Sequence, residues 1–378
     1  MGILRKIPLR IFLVLLLCVV VAAGYFKFFP LHASKAQTQP NQSTTSNLTF
    51  GFSGAALLAM PQDKQLAALR DMKSMGITWV RFDVDWNGIQ PNDSAHYTWS
   101  RYDRMMQSLQ TVGLRGLAIL DYTPAWARPA NCADSDKCAP DPIAFARFAS
   151  TVAERYAPQG LHDWEIWNEP NQIEFWKPKP DAAQYLYLLQ LTSVVLHYTD
   201  PQATIITGGL SNGEVSKGNI SMSDFVQALY KLGGQSSFNA IGLHPYTTPN
   251  LSSSNPGAWR QMQQVHDIMS SHDNSDKKIW ITEYGAPTGG PGKEAASGEL
   301  GQPSGTDHVS EKLQAQLMTD AIQNFSHEPW AGPFIWYNYI DSGTDMNSRL
   351  NFYGLRRYDG TPKPAYDAYK NIISSSGK

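Results

Sequence analysis

Short apolar runs recur along the chain at 50–53, 78–84, 116–120, 164–167, 204–207, 240–243, 278–282 and 333–339. Between them lie longer stretches of helical period. Leu66, Leu69, Met72 and Met75 repeat near i, i+3, i+4 spacing and end on Gly76. The stretch 100–113 ends the same way on Gly113, and 141–156 opens with Asp141 as an N-cap candidate followed by Pro142. Further helical patterns cover 181–198, 223–232, 259–271, 308–325 and 363–373. Several of the apolar runs ("TIITGG", "AIGLHPY", "KIWITEY") are apolar on both faces, as strands of a parallel sheet covered by helices must be. Eight strand–helix units in series predict a single (β/α)8 TIM-barrel domain over 49–378. The alternative, a doubly wound open sheet, usually carries a G-x-G-x-x-G first turn, which is missing from this sequence.

Composition narrows the partners. With 378 residues, 42% of them hydrophobic, the chain has enough apolar residues for a large core, and its near-neutral net charge of −2 argues against nucleic acid as a partner. Its N-terminus carries Arg5, Lys6 and Arg10 before an apolar run over 11–26. That run is slightly short for a spanning helix, which needs about 20 residues, and long for a signal core. Residues 1–31 therefore read as a signal peptide or a membrane anchor, and either reading exports the rest of the chain. Residues 32–48 are polar and without periodicity, a flexible tether. Cys132 and Cys138 bracket a polar turn, "CADSDKC", and an exported location predicts a disulfide between them. No third or fourth ligand lies near them for a metal.

Barrel sites form at the C-terminal ends of the strands. In this chain those ends carry Arg81 with Asp83 and Asp85, Asp121 with Tyr122, Asn168 with Glu169, His244 with Tyr246, Glu283 with Tyr284, and Trp336 with Asn338. Any one of them is an ordinary loop start; together they converge on one face. Glu169 ends the fourth run and Glu283 the seventh, so the two carboxylates face each other across the mouth. Facing carboxylates, one protonated and one ionised, are the working parts of glycoside hydrolysis.

Asn168-Glu169-Pro170 in "WEIWNEPN", Glu283 in "IWITEYG", the "HPY" of 244–246 and Trp336 together resemble the clan A glycoside hydrolases. Within that clan "WEIWNEPNQIEFW" is most similar to family 39, the β-xylosidase group with its exopolysaccharide-cleaving relatives, and family 5 is the nearest competitor. The resemblance runs from about residue 50 to the end and implies a retaining, cofactor-free and metal-free enzyme. It makes Glu169 the acid/base, its carboxyl raised by burial beside Trp167, and Glu283 the nucleophile, held ionised by Arg81 and Tyr246. Asn168 would bind the sugar 2-hydroxyl, Trp336 would be the floor under the ring, and His244 would complete the wall. Trp126 and Trp176 are expected as stacking platforms for a longer glycan. No accessory β-sandwich follows the barrel pattern, which favours an open groove and endo action.

The expected protein is thus an exported monomer acting on a poly- or oligosaccharide. An exo-acting β-xylosidase, a transglycosylase and a silent polysaccharide-binding barrel are the alternatives. "GGPGKE" at 289–294 lacks P-loop spacing, and the Gly-rich 288–306 stretch reads as a mobile loop beside the site.

Overall fold

In the computed structural model, which describes residues 48–376, the eight apolar runs are eight strands. They are β1 (Phe50–Ser53), β2 (Trp79–Asp85), β3 (Arg115–Asp121), β4 (Asp163–Asn168), β5 (Thr204–Ser211), β6 (Ala240–His244), β7 (Lys278–Tyr284) and β8 (Ala331–Trp336). Each pairs in parallel with the next and β8 pairs with β1, so the sheet closes. One principal helix follows each strand: α1 (Gln62–Ser74), α2 (Ser100–Val112), α3 (Pro142–Tyr156), α4 (Ala182–Thr199), α5 (Met222–Lys231), α6 (Gly257–Ser271), α7 (Glu311–Ser326) and α8 (Pro364–Ser376). The fold is the (β/α)8 barrel that the apolar pattern predicts. The N-terminal apolar segment and the tether through Asn47 lie outside the described residues. Among the described residues no helix is long and apolar enough to cross a membrane.

Local signals set the helix ends. Asp141 accepts the Ala144 N–H at 2.7 Å and Pro142 opens α3. Gly113 stops α2 in the left-handed region at φ 73°, where a side chain would be strained. Helix α7 starts later than its periodicity suggests. Ser310 caps it, and Thr306–His308 instead pairs with Lys293–Glu294 as a short ribbon.

The strands are apolar on both faces for two separate reasons. Outward residues such as Trp164, Ile166, Phe334 and Trp336 pack in the layer beneath the helices. Inward residues Trp79, Leu117, Ile206, Ala240, Trp280 and Ile335 form their own cluster, a plug across the barrel. Strand side chains repeat every second residue, so the next inward position after Trp79 is Arg81 and after Trp280 is Thr282. The interior turns polar one step above the plug, and that step is the floor of the site.

Cys132 and Cys138 form the expected disulfide, with S–S 2.06 Å and Cα–Cα 5.8 Å. The loop it closes is stitched to the segment after β4, where the Lys177 N–H donates to the Lys137 carbonyl and the Ala139 N–H to the Lys177 carbonyl. Lys137 Nζ lies 4.5 Å from the centre of the Phe175 ring.

Candidate active site

The tip of β4 departs from regular strand geometry. Trp167 has φ 71° and Glu169 φ 44°, in the left-handed region that bulky residues avoid at a cost of about 1–3 kcal/mol each. Regular alternation would turn Trp167 inward with Glu165. Instead its indole N–H donates to the Phe175 carbonyl at 2.7 Å, and its ring packs with Phe145, Tyr122 and Trp176. Burial of that whole ring offsets the backbone cost. The broken phase frees Asn168 and Glu169 to line the cleft.

Glu283 stands at the tip of β7, its side chain 14% exposed. Arg81 Nη1 donates to Glu283 Oε1, and the Tyr246 hydroxyl donates to Oε2 at 2.8 Å. Burial alone would raise this carboxyl, but His244, Arg81 and Tyr246 outweigh it and hold it below the ordinary range. Burial and the neighbouring Glu283 charge push the Tyr246 phenol well up, so it remains a donor. Across the cleft, Glu169 Oε1 lies 2.8 Å from His244 Nδ1. An oxygen of Glu169, an oxygen of Glu283 and a ring nitrogen of His244 all lie within 4.8 Å of one another.

Arg81 holds a second carboxylate. Glu165 is fully buried inside β4 and accepts from Arg81 Nε at 2.7 Å and Nη2 at 3.1 Å. It also accepts from the Gly209 N–H at 2.8 Å and the Thr282 hydroxyl at 3.0 Å. Arg81 Nη2 further reaches Asn168 Oδ1 at 3.2 Å, which orients the Asn168 amide group. His244 fits beside Gly209 because glycine has no side chain; a Cβ there would meet His244 Nε2 at 2.0 Å.

These residues gather around an open cleft of about 810 Å³ at the C-terminal end of the barrel. Arg81, Asn168, Glu169, Tyr246 and Glu283 line it together, as the strand ends predict, and His244 sits immediately behind Glu169. Three aromatic expectations are corrected. Trp336 is fully buried: it shares the outward parity of Phe334 and donates its indole N–H to the Tyr353 carbonyl at 3.1 Å. The inward parity belongs to Ile335 and then Tyr337, and Tyr337 lines the cleft. Trp176 is 1% exposed, packed between Trp167 and Tyr185, and offers no platform. Trp126 is partly exposed, but its edge packs on Trp86 and its N–H donates to the Gln90 carbonyl, outside the cleft lining. Trp167, expected to bury the Glu169 carboxyl, instead turns its ring into the Phe145–Tyr122–Trp176 cluster, and the side chain that Glu169 contacts is His244. Tyr122, which the sequence leaves without a role, lines the cleft beside Asp83.

Asp83 carries a pH signature. Burial pushes its carboxyl up to about 6, with Arg81 opposing and Glu283 and Asp85 adding to the rise. In the unfolded chain it ionises near its ordinary value of about 3.9. Below that value both states hold the proton and Asp83 contributes nothing. Between about 4 and 6 only the folded state holds it, so stability falls as pH rises, and above 6 the full penalty is present. Asp83→Asn is therefore expected to stabilise the protein at pH 7 by roughly 1–3 kcal/mol and to be neutral at pH 4. Denaturant melts at the two pH values check this, and an equal effect at both would refute it.

Residues 35–310 match the family described as cellulase (glycosyl hydrolase family 5). Among solved structures, a family 39 glycoside hydrolase from the gut symbiont Bacteroides cellulosilyticus WH2 superposes with a TM-score of 0.65 at 20% identity. That match covers 87% of this chain, which spans 63% of the other chain's length. A family 39 β-xylosidase from Caulobacter crescentus gives a TM-score of 0.64 at 17% identity, covering 89% of this chain and 73% of that one. A family 5, subfamily 18, protein from Streptomyces cattleya in complex with GlcNAc gives 0.64 at 16% identity, with 88% and 80% covered. At these identities the likeness is one of fold. No curated protein matches the chain. Both families that the strand-end motifs resemble are thus represented, and the family match spans seven of the eight barrel strands. The chain belongs to the cellulase family, glycosyl hydrolase family 5, and is a glycoside hydrolase of clan A.

Proposed function

We propose that this glycoside hydrolase is a retaining, endo-acting β-glycosidase in which Glu169 is the acid/base and Glu283 the nucleophile. The observation that carries the reading is the approach of the two carboxylates, with oxygens within 4.8 Å. Retaining enzymes hold their carboxyl groups about 5–5.5 Å apart, whereas inverting ones need about 6.5–9.5 Å for a water between them. In the first step Glu169 gives its proton to the glycosidic oxygen while a Glu283 oxygen bonds the anomeric carbon. The aglycone leaves as an alcohol and an ester joins the sugar to Glu283. In the second step the Glu169 carboxylate takes a proton from water, the water oxygen attacks the anomeric carbon, and the bond to Glu283 breaks.

The environments support that division of labour. Glu283 is held ionised by donors, as an attacking carboxylate must be. The Asn168 amide N–H groups remain free for a sugar hydroxyl because its Oδ1 already accepts from Arg81. Tyr337 and Tyr122 supply aromatic surface in the cleft, the role that the buried Trp336 does not fill.

Endo action is supported by the size and lining of the cleft. It extends beyond the two carboxylates to Glu174 and Glu214 on one side and to Asp307 and Arg349 on another. Polar side chains at that reach suit a chain of sugars better than a single ring. The basic and apolar N-terminus supports export, with the barrel acting outside the cytoplasm on a poly- or oligosaccharide. Incubation with a panel of plant and bacterial β-glycans, with product length read by mass spectrometry, is expected to yield oligosaccharides first. Release of monosaccharides alone would overturn the endo reading.

A further inference from the structure

Glu165 is charged, fully buried and never reaches the cleft, yet both catalytic carboxylates connect to it. Its bonding partners identify where protons sit. Arg81 and the Gly209 N–H only donate, so Glu165 accepts with both oxygens. Thr282 Oγ1, 3.0 Å from Glu165 Oε1, spends its single proton on that bond. Towards His244 Nε2, 3.1 Å away, the same hydroxyl oxygen therefore accepts, which requires a proton on Nε2. Arg81 Nη2, 3.4 Å from Nε2, can only donate. Its two hydrogens already go to the nearer Glu165 Oε1 at 3.1 Å and Asn168 Oδ1 at 3.2 Å, so it leaves Nε2 to Thr282. With Nε2 protonated, Nδ1 faces Glu169 Oε1 at 2.8 Å, and a hydrogen bond on that line requires one further proton, carried by either the imidazole or the carboxyl.

We propose that Glu165 is a positioning residue which, through Thr282, fixes the tautomer of His244 and so keeps the labile proton on the Glu169 line, while through Arg81 it holds Glu283 in place for attack. This rests on the reading of Glu169 as acid and Glu283 as nucleophile. A single buried negative charge thereby sets the proton inventory on both sides of the scissile bond. It also divides the Arg81 charge between two carboxylates, so Glu283 is oriented by a guanidinium already half neutralised and keeps its nucleophilic strength.

Other charged and titratable groups surround this array: Arg81, Asp83 and Asp85 on β2, Asp121 at the end of β3 and Tyr122 just after it, Glu283 on β7, Tyr246 after β6, and Tyr337 and Tyr353 after β8. They are unchanged in the variants below, so differences between profiles report Glu165 and Thr282.

The test is the pH profile of kcat/KM on the 4-nitrophenyl β-glycoside that the wild type cleaves fastest, for Glu165→Gln, Thr282→Val and Thr282→Ser. Loss of the buried negative charge makes every nearby proton easier to lose. Glu165→Gln is therefore expected to move both limbs to lower pH, by about one unit. Thr282→Val leaves the Arg81–Glu165 pair intact but frees Nε2 of its acceptor. The imidazole can then carry its proton on Nδ1 and donate to an ionised Glu169, so the alkaline limb alone moves down. Thr282→Ser keeps the hydroxyl and returns that limb to its wild-type position. Imidazole 15N spectra give a readout independent of turnover: His244 is expected as the Nε2–H form in the wild type, with Nδ1–H appearing in Thr282→Val. Should Glu165→Gln not fold, the two Thr282 variants and the spectra decide. Lower rates with neither limb displaced, or an Nδ1–H imidazole in the wild type, would overturn the proposal. Full activity of Glu169→Gln would instead reject the acid assignment on which it stands.

Discussion

Glu283→Gln is expected to lower kcat by roughly 10⁴-fold or more, because an amide cannot form the glycosyl ester and no other group is aimed at the same carbon. The substitution keeps the side-chain shape beside Arg81 and Tyr246, so the far-UV circular dichroism and the cooperative melt should remain those of a folded barrel. A 2-deoxy-2-fluoro glycoside with a dinitrophenyl leaving group provides the direct check. Fluorine at the 2-position destabilises both oxocarbenium-like transition states, while the good leaving group rescues only the first, so the ester accumulates. Intact-mass spectrometry should find one added sugar on the wild type, peptide mapping should place it on Glu283, and the variant should stay unlabelled. Labelling at Glu169, or inactivation without a mass change, would refute the assignment of the nucleophile.

Glu169→Ala should fail differently. Removing the acid is expected to cost about 10²–10⁴-fold on glycans and alkyl glycosides, whose leaving oxygen needs a proton. On a dinitrophenyl glycoside the first step needs none, so the loss should fall on the second step and appear as a burst followed by slow turnover. Azide requires no base to attack the ester. Adding it should raise the turnover of the variant and yield the β-glycosyl azide, with configuration retained. A loss that ignores leaving-group quality, with no response to azide, would sink the acid/base assignment of Glu169.

The two carboxylates were visible in the sequence as a pair. Each alone is a charge where an apolar strand gives way to a loop, and only their places on the fourth and seventh strands set them facing each other. The eightfold strand and helix pattern was equally visible, since doubly apolar runs belong to parallel sheets covered by helices and eight strand–helix units in series close a barrel. Trp336 shows what chemical identity alone misses. Parity along β8, counted from the interior plug at Ile335, puts Trp336 under the helices and Tyr337 in the cleft. Trp176 is a similar case, since an aromatic in a strand-end loop serves packing as readily as ligand binding. Glu165 lay inside the very motif that identified the site. Its partner Arg81 is on another strand, and no local pattern links them. The phase break at Trp167 was hidden as well, because a positive φ in tryptophan is fixed by the pocket that receives its ring.

The bare backbone at Gly209 has a bearing on how relatives of this chain should be read. Any side chain there would occupy the space of the His244 ring, although it touches neither carboxylate. A homologue could thus keep both glutamates, align perfectly through its signature motif and still be inert. The position that separates a working descendant from a decoy carries no functional group at all.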